Sequence, residues 1–205
     1  MATRIIFATG NENKMKEIRE ILADCRMEIL SMKEAAIEAD VVEDGTTFEQ
    51  NACIKVKEIA KLAPDDIILA DDSGLEIDYL NKEPGIYSAR YLGEDTSYDI
   101  KNQALLYRLT GVEKERRSAR FVCAIAAAVP GCGVFTTRGT IEGYIGWKMA
   151  GANGFGYDPI FYVDSYGCST AELTMEQKNT LSHRGNALRA MKEELINKGV
   201  LALDL

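Results

Sequence analysis

Apolar and polar residues alternate in a way that predicts strands and helices in turn along the first half of the chain. Residues 4–9 and 67–70 are short apolar runs typical of buried strands, and residues 27–30 form a weaker one. Apolar residues recur at helical spacing after Gly10 and again after Thr47, which is a good helix N-cap. Helices alternating with strands favour an α/β fold.

The second half of the chain contains a predicted hairpin. Residues 120–129 and 134–141 are strand-like and are separated by a short turn rich in glycine. Helices are predicted over residues 99–109 and 186–198. The hairpin argues against an all-parallel arrangement, so we expect a mixed central sheet flanked by helices.

An acidic segment follows the strand predicted over residues 67–70. It reads Ala70-Asp71-Asp72-Ser73-Gly74, and its residue types predict a turn before the alternating Leu75, Ile77 and Tyr79. Adjacent carboxylates at the end of a buried strand are costly unless a cation or donors compensate them. Mg²⁺ is a suitable cation, and Glu43 is a second carboxylate that could join Asp72 in binding it. The alternative is an ordinary polar turn.

Composition sets the broad class. With 205 residues, 46% hydrophobic and 27% charged, the chain is typical of a soluble globular enzyme, and we expect a single domain over residues 1–205. No apolar run approaches the roughly 20 residues of a membrane span, and the N-terminus lacks a signal-peptide layout. Five cysteines without a CxxC pair indicate reduced thiols and a cytoplasmic location.

The net charge of −8 argues against a broad nucleic-acid-binding surface. A small anionic ligand remains compatible with it, because a few local cations, a helix N-terminus and a metal are enough to hold one. With one histidine and no clustered ligands, a zinc site is not expected.

Three further segments carry candidate chemistry. The segment TGNENK (residues 9–14) joins a strand to a helix and suits a phosphate, although it lacks a Walker A pattern and is also compatible with a simple turn. The segment GFGYDP (residues 154–159) interleaves aromatic residues with glycines and could stack on a base or merely pack on the core. Lys178 precedes the segment SHRG (residues 182–185), whose His183 and Arg184 could donate to a carbonyl oxygen.

Together these segments resemble those of the inosine/xanthosine triphosphate pyrophosphatases, which hydrolyse non-standard purine nucleoside triphosphates. The resemblance rests on segments that occur in family order over nearly the whole chain: TGNENK (9–14), EDGTTFEQNA (43–52), ADDSGLEID (70–78), PGIYSARY (84–91), GFGYDPIF (154–161), AELT (171–174) and SHRG (182–185). It implies a homodimer with two lobes around a deep active-site cleft, and conversion of dITP, ITP or XTP to the monophosphate and pyrophosphate with Mg²⁺.

The resemblance also implies roles for individual residues. Asp72 corresponds to the proton acceptor and a metal ligand, with Glu43 as a further metal ligand, and Lys55 is a further candidate for phosphate binding. The substrate-contacting positions fall on Thr9, Gly10, Asn11, Glu12, Asn13, Lys14, Ser73, Phe155, Gly156, Tyr157, Asp158, Lys178, His183 and Arg184. We expect no nucleic-acid or membrane partner.

Two other functions remain open from the sequence. One is a house-cleaning enzyme of the Maf type that acts on modified pyrimidine or other nucleotides. The other is a nucleotide-sensing or scaffolding protein without turnover, against which the presence of Lys14, Glu43 and Asp72 argues, since a pure binder needs no base.

Overall fold

The computed structural model describes residues 4–25 and 27–202, in which seven strands form one sheet. The strands are β1 (Arg4–Phe7), β2 (Glu28–Ser31), β3 (Ile67–Ile77), β4 (Ser118–Val129), β5 (Gly133–Ile145), β6 (Phe161–Val163) and β7 (Cys168–Ser169). Their order is β2-β1-β3-β4-β5-β6-β7. β1 runs parallel to β2 and β3, whereas β6 runs antiparallel to β5 and β7, so the predicted mixed sheet is confirmed.

Five α-helices accompany these strands in the described part of the chain. They are α1 (Glu12–Ile21), α2 (Phe48–Ala60), α3 (Tyr98–Arg108), α4 (Met175–Leu181) and α5 (His183–Asn197). Short 3₁₀ helices cover Asp78–Leu80, Gly85–Tyr87, Lys114–Arg116, Asp158–Ile160 and Thr170–Glu172. No helix among the described residues has the length and apolar character needed to cross a bilayer.

The chain divides into two compact units. Unit 1 contains the described residues up to Asp72, residues 123–139 and the described residues from His183 onward. Unit 2 contains residues 73–122 and 140–182. β3, β4 and β5 therefore each contribute residues to both units.

Unit 1 is layered because successive residues of a strand point to opposite faces of the sheet. Ile5 and Phe7 of β1 belong to a core cluster with apolar residues of α1 and α5. Ile6 and Ala8 belong to a second cluster that includes residues of α2. Both sheet faces of this unit are therefore covered, which explains why its central strands are apolar at nearly every position.

Unit 2 has its own apolar core. Leu75 and Ile77 of β3 pack in one cluster with Leu105 of α3 and with Phe121 and Phe161. The rings of Phe121 and Phe161 have centroids 4.5 Å apart. The alternation after Gly74 marks a real strand face at Leu75 and Ile77, as predicted, whereas Tyr79 lies past the strand in a 3₁₀ helix.

Predicted boundaries are wrong in the two segments that matter most for the site, the acidic segment and the SHRG segment. The expected turn over residues 71–74 is absent, because β3 continues through it to Ile77, so Asp71 and Asp72 lie inside a strand rather than at its end. Strand pairing and nearby cations overrode the turn preference of Asp, Ser and Gly. α5 begins at His183 rather than at Asn186, so the SHRG segment enters the helix itself.

Candidate functional site

The turn between β1 and α1 is stabilised by its own side chains. The Asn11 carboxamide caps α1 by accepting from the backbone N–H groups of Asn13 (2.9 Å) and Lys14 (3.3 Å). The Thr9 hydroxyl accepts from the Asn11 N–H at 3.1 Å. Gly10 and Glu12 lie exposed beside them. This cap is the reason that the helix starts at Glu12 and that Lys14 occupies its first turn.

Lys14 reaches back to β3 and pairs with Asp71. The Lys14 ammonium lies 3.0 Å from the Asp71 carboxylate, whose side chain is only 1% exposed. The Arg184 Nε donates to the same carboxylate at 3.3 Å. Burial by itself would raise the pKa of Asp71, but the charges of Lys14, Arg184 and Lys55 outweigh it and hold that pKa well below its ordinary value. Asp71 is therefore a permanent anion within a cationic cluster.

Arg184 is itself buried, with 3% of its side chain exposed. Its Nη1 donates to Glu17 at 2.6 Å while its Nε contacts Asp71, so two carboxylates hold the guanidinium. Burial alone would lower the pKa of Arg184, but the charges of Asp71 and Glu17 outweigh burial and hold that pKa above its ordinary value. Its neighbour His183 is also buried.

A close approach of β5 to α5 positions these two residues. A Cβ at Gly139 would lie 2.3 Å from the carbonyl oxygen of His183 and 2.5 Å from the backbone nitrogen of Ala187. Only glycine leaves room for that contact. The start of α5 is thus set directly against the β5 backbone.

Asp72 has a different environment from Asp71. The Asn51 amide donates to its Oδ2 at 2.9 Å. Burial raises the pKa of Asp72 to about 6, the Asn51 hydrogen bond acts against that rise, and the charge of Glu43 adds to it. Asp72 is therefore a carboxylate that titrates close to neutral pH.

Asn51 is held by a second contact. Its Oδ1 accepts from the Gly45 N–H at 2.8 Å, and a Cβ at residue 45 would lie 2.6 Å from that oxygen. Asn51 is fully buried on the apolar side of α2. Both ends of its carboxamide are thus used, one for the loop before α2 and one for Asp72.

Lys55 connects Glu43 with β3. Its ammonium lies 2.9 Å from the Glu43 carboxylate and donates to the main-chain carbonyl of Asp71 at 3.0 Å. Lys55 thus places the Glu43 carboxylate beside the segment of β3 that carries Asp71 and Asp72.

The carboxylates of Asp72 and Glu43 are oxygen donors of the kind that a divalent cation binds. Among the described residues, no group of three or more His, Cys, Asp or Glu side chains is arranged to hold a metal. Mg²⁺ needs no such cage, since it commonly takes one or two carboxylates together with water and substrate phosphates. Asp72 and Glu43 are carboxylates of the kind such a site uses, and a cation between them would relieve the effect of the Glu43 charge on Asp72.

The segment GFGYDP (residues 154–159), here called the aromatic loop, lies in unit 2 and is held in place by Asp158. The Oδ2 of Asp158 accepts from the Phe155 N–H (2.8 Å) and from the Lys178 ammonium (2.6 Å), and its Oδ1 accepts from the Thr170 hydroxyl at 2.8 Å. The Lys178 ammonium lies 5.1 Å from the centroid of the Phe155 ring. Tyr157 is buried in the unit 2 core, so Phe155 carries the accessible ring of this loop.

The predicted site residues thus form two groups, one in each unit. Unit 1 holds Thr9, Gly10, Asn11, Glu12, Asn13, Lys14, Glu43, Lys55, Asp72, His183 and Arg184; unit 2 holds Ser73, Phe155, Gly156, Tyr157, Asp158 and Lys178. In unit 1 the contacts above join Lys14, Glu43, Lys55 and Arg184 around the two aspartates.

Sequence reasoning missed Asn51 and Glu17, and it gave Asp71 no role separate from that of Asp72. Asn51 was visible as a polar residue three positions after Phe48, on the apolar face of α2. Glu17 lies one helical turn from Lys14, and Asp71 is adjacent to Asp72. The roles of all three depend on partners distant in the sequence.

The fold and this site define an α/β protein with a mixed sheet, in which lysines and an arginine surround two strand carboxylates. The model of the Ham1 family matches residues 5–194, and the chain belongs to that family. The family recognised from the sequence motifs is confirmed by relatives named for the same activity.

Two such relatives are both named dITP/XTP pyrophosphatase. The chain is 46% identical over 203 residues to one from Clostridium perfringens, which covers 97% of this chain and 98% of the relative. It is 44% identical over 190 residues to one from Bacillus subtilis, which covers 93% and 96%.

Two solved structures are similar in fold. The Ham1 protein of Staphylococcus aureus has a TM-score of 0.86 at 40% identity, covering 95% of this chain and 99% of that one. The HAM1 protein of Coxiella burnetii has a TM-score of 0.86 at 38% identity, covering 96% and 100%.

Proposed function

We propose that this protein hydrolyses the non-standard purine nucleoside triphosphates dITP, ITP and XTP to the nucleoside monophosphate and pyrophosphate, and so removes them from the nucleotide pool. The names of its full-length relatives support this activity. The observation that carries it is the contrast between Asp71, a permanent anion held by cations, and Asp72, whose pKa is about 6. Such a contrast between neighbouring carboxylates is typical of sites that move a proton.

In this proposal Asp72 is the general base. With a pKa of about 6 it is mostly ionised at pH 7, and it is still basic enough to accept a proton. It takes that proton from a water molecule whose oxygen forms the new bond to the α-phosphorus. The anhydride bond between the α and β phosphates breaks, and pyrophosphate leaves with the electron pair. Asn51 keeps the carboxylate in one orientation while this occurs.

We propose that lysine side chains and Mg²⁺ neutralise the negative charge of the triphosphate. Lys14 and Lys55 in unit 1 and Lys178 in unit 2 are proposed to contact phosphate oxygens. Glu43 and Asp72 would hold Mg²⁺, which when bound supplies further positive charge to the phosphates. The ion pair between Lys55 and Glu43 keeps the proposed phosphate ligand and the proposed metal ligand next to each other in unit 1.

Base recognition is assigned to His183, Arg184 and the Phe155 loop. Imidazole and guanidinium donors facing a 6-keto oxygen would be left unpaired by the 6-amino group of adenine, which can reject an analogue by orders of magnitude. The contacts of Arg184 with Asp71 and Glu17 fix its guanidinium before substrate arrives. Guanine shares the keto group, so its exclusion must involve the 2-amino edge.

Further properties are proposed from the family resemblance. Residues 1–205 act as one functional domain, since the family match includes residues of both units. The chain forms a homodimer, acts in the cytoplasm and has neither nucleic acid nor membrane as a partner. The five cysteines are free thiols, which is consistent with a reducing compartment.

A substrate panel with identified products tests the proposal. Purified protein is incubated with Mg²⁺ and dITP, ITP, XTP, dATP, dGTP or dTTP, and the products are separated by ion-exchange chromatography. We expect dIMP and pyrophosphate from dITP, weak turnover of dATP and dGTP, and loss of activity with EDTA that Mg²⁺ restores. Formation of dIDP and phosphate would contradict the assigned bond, and a preference for dTTP would indicate a Maf-type enzyme.

A further inference from the structure

Three residues on one face of α3 contact the loops on either side of them. Tyr98, Lys101 and Asn102 are spaced i, i+3 and i+4, which places them side by side on the helix. The Asn102 amide donates to the carbonyl oxygen of Gly156 at 3.0 Å. The Lys101 ammonium donates to the carbonyl oxygen of Ala89 at 2.6 Å. All of these residues belong to unit 2.

Asn102 is an unusual residue at a buried position of α3. The residue is 1% exposed, and its Oδ1 has no hydrogen-bond partner among the described residues. A buried acceptor without a partner costs free energy, and an apolar side chain of the same shape would avoid that cost. What the carboxamide supplies in return is its bond to Gly156.

Gly156 lies at the centre of the aromatic loop. Its φ of +71° is a conformation that favours glycine, and the loop turns there between Phe155 and Tyr157. Tyr157 is held on the other side by its hydroxyl, which donates to the Ser88 carbonyl at 2.8 Å, and by an edge contact with Tyr98 at 5.2 Å between centroids. The Asn102 bond therefore holds the backbone immediately after Phe155, whereas Asp158 holds the backbone N–H of Phe155 itself.

We propose that Asn102 is a positioning residue for nucleobase recognition, which holds the Phe155–Gly156 backbone so that the Phe155 ring is presented to the purine. This inference rests on the proposed function. The Asn102 amide bonds to the loop that carries Phe155, whereas Lys178 is held separately by Asp158, so the effect of Asn102 falls mainly on the base rather than on the triphosphate.

The test compares Asn102→Leu with wild type and with Gln103→Leu, the same type of change at the exposed neighbouring position of α3. Initial rates with dITP are measured, together with inhibition by inorganic tripolyphosphate, which carries the phosphates without a base. For Asn102→Leu we expect kcat/KM for dITP to fall roughly ten-fold through a higher KM, because the loop loses its fixed orientation. The inhibition constant of tripolyphosphate should stay within about two-fold, and Gln103→Leu should match wild type.

Thermal unfolding separates positioning from support of the fold. The leucine removes an unpaired buried oxygen but also leaves the Gly156 carbonyl without its amide donor, so we expect the Tm of Asn102→Leu to stay within a few degrees of wild type. A lower Tm with equal losses for dITP and tripolyphosphate would overturn the inference, as would unchanged dITP kinetics. If the leucine variant fails to fold, Asn102→Ser is used with the same readouts. Failure of the proposed function itself is distinct, since wild type would then not hydrolyse dITP.

Discussion

The side-chain amide of Asn51 donates to the Oδ2 of Asp72 at 2.9 Å, and its oxygen accepts from the Gly45 backbone at 2.8 Å. One buried residue of α2 thus joins the loop that follows Glu43 to the carboxylate proposed as the base. Asp71, one residue earlier in β3, is instead bound by Lys14 and Arg184. Two adjacent aspartates on opposite faces of a strand therefore have opposite pKa shifts.

Asn51→Ala should lower kcat for dITP by roughly 10- to 100-fold, as is typical when a group that orients a reactive carboxylate is removed. KM should change little, because Asn51 is not expected to touch substrate. Steady-state kinetics check this, with Lys57→Ala on the exposed side of α2 as control. Equal kcat values for Asn51→Ala and Lys57→Ala would remove Asn51 from the mechanism.

Asp72→Asn should lose most turnover, by roughly 10²- to 10⁴-fold, because an amide cannot accept the proton from water. Nucleotide binding, measured by calorimetry with dITP, should persist because the lysines remain. Asp65→Asn, at an exposed position before β3, serves as the matched control. Unimpaired turnover of the Asp72 variant would show that another group is the base.

Asp71→Asn should destabilise the fold by about 3 kcal/mol or more at pH 7, because it leaves buried cations without their anion. The exposed pair of Lys114 and Asp164, with side chains 50% and 73% exposed, offers a contrast. Asp164→Asn should change the free energy of unfolding by less than about 1 kcal/mol. Urea unfolding of both variants measures this, and similar losses for the two would contradict the buried network.

The ion pair of Asp78 with Arg120 should make stability depend on pH in the acid range. Hydrogen bonds from the Arg120 guanidinium at 2.9 and 3.1 Å, followed by those from Lys82 and Ser118, hold the pKa of Asp78 well below its ordinary value. A carboxyl whose pKa is lower in the folded state stabilises the protein above its unfolded pKa of about 4, and that stabilisation is lost as pH falls towards the folded pKa.

Asp78→Asn should therefore be about 1 kcal/mol less stable than wild type at pH 7, a modest amount because Asp78 is partly exposed to solvent. The difference should shrink as pH is lowered below about 4. The urea unfolding midpoints of wild type and Asp78→Asn, measured at pH 7, 4 and 2.5, check this trend. A gap that stays constant over the series would show that the loss at pH 7 is not due to the carboxylate charge.

Much of the fold was predictable from local pattern. Thr47 predicted the start of α2, and Thr174 with Gln177 predicted a capping box, and both caps are present. The hairpin of β4 and β5 was also predicted, because its turn and its strands are continuous in the chain. The strand β7 was missed, since its two residues have no pattern of their own.

The candidate site was less predictable. Arg184 was expected before the last helix as a reader of a keto group, and the structure places it inside that helix with Asp71 and Glu17 as partners. The role of Asp72 as the proton acceptor was expected only from the family resemblance and stays a prediction. Its neighbour has the same side chain, and the part of β3 that holds both aspartates was predicted as a turn.

Helix caps, strand alternation and the order of motifs are properties of residues close together in the chain, so the amino-acid sequence determined them directly. The difference in pKa between Asp71 and Asp72 was decided by the tertiary structure. Successive residues of a strand face opposite sides of the sheet. Residues distant in sequence therefore supply cations on one side and an amide with a nearby carboxylate on the other, and those surroundings set the charge that each aspartate carries.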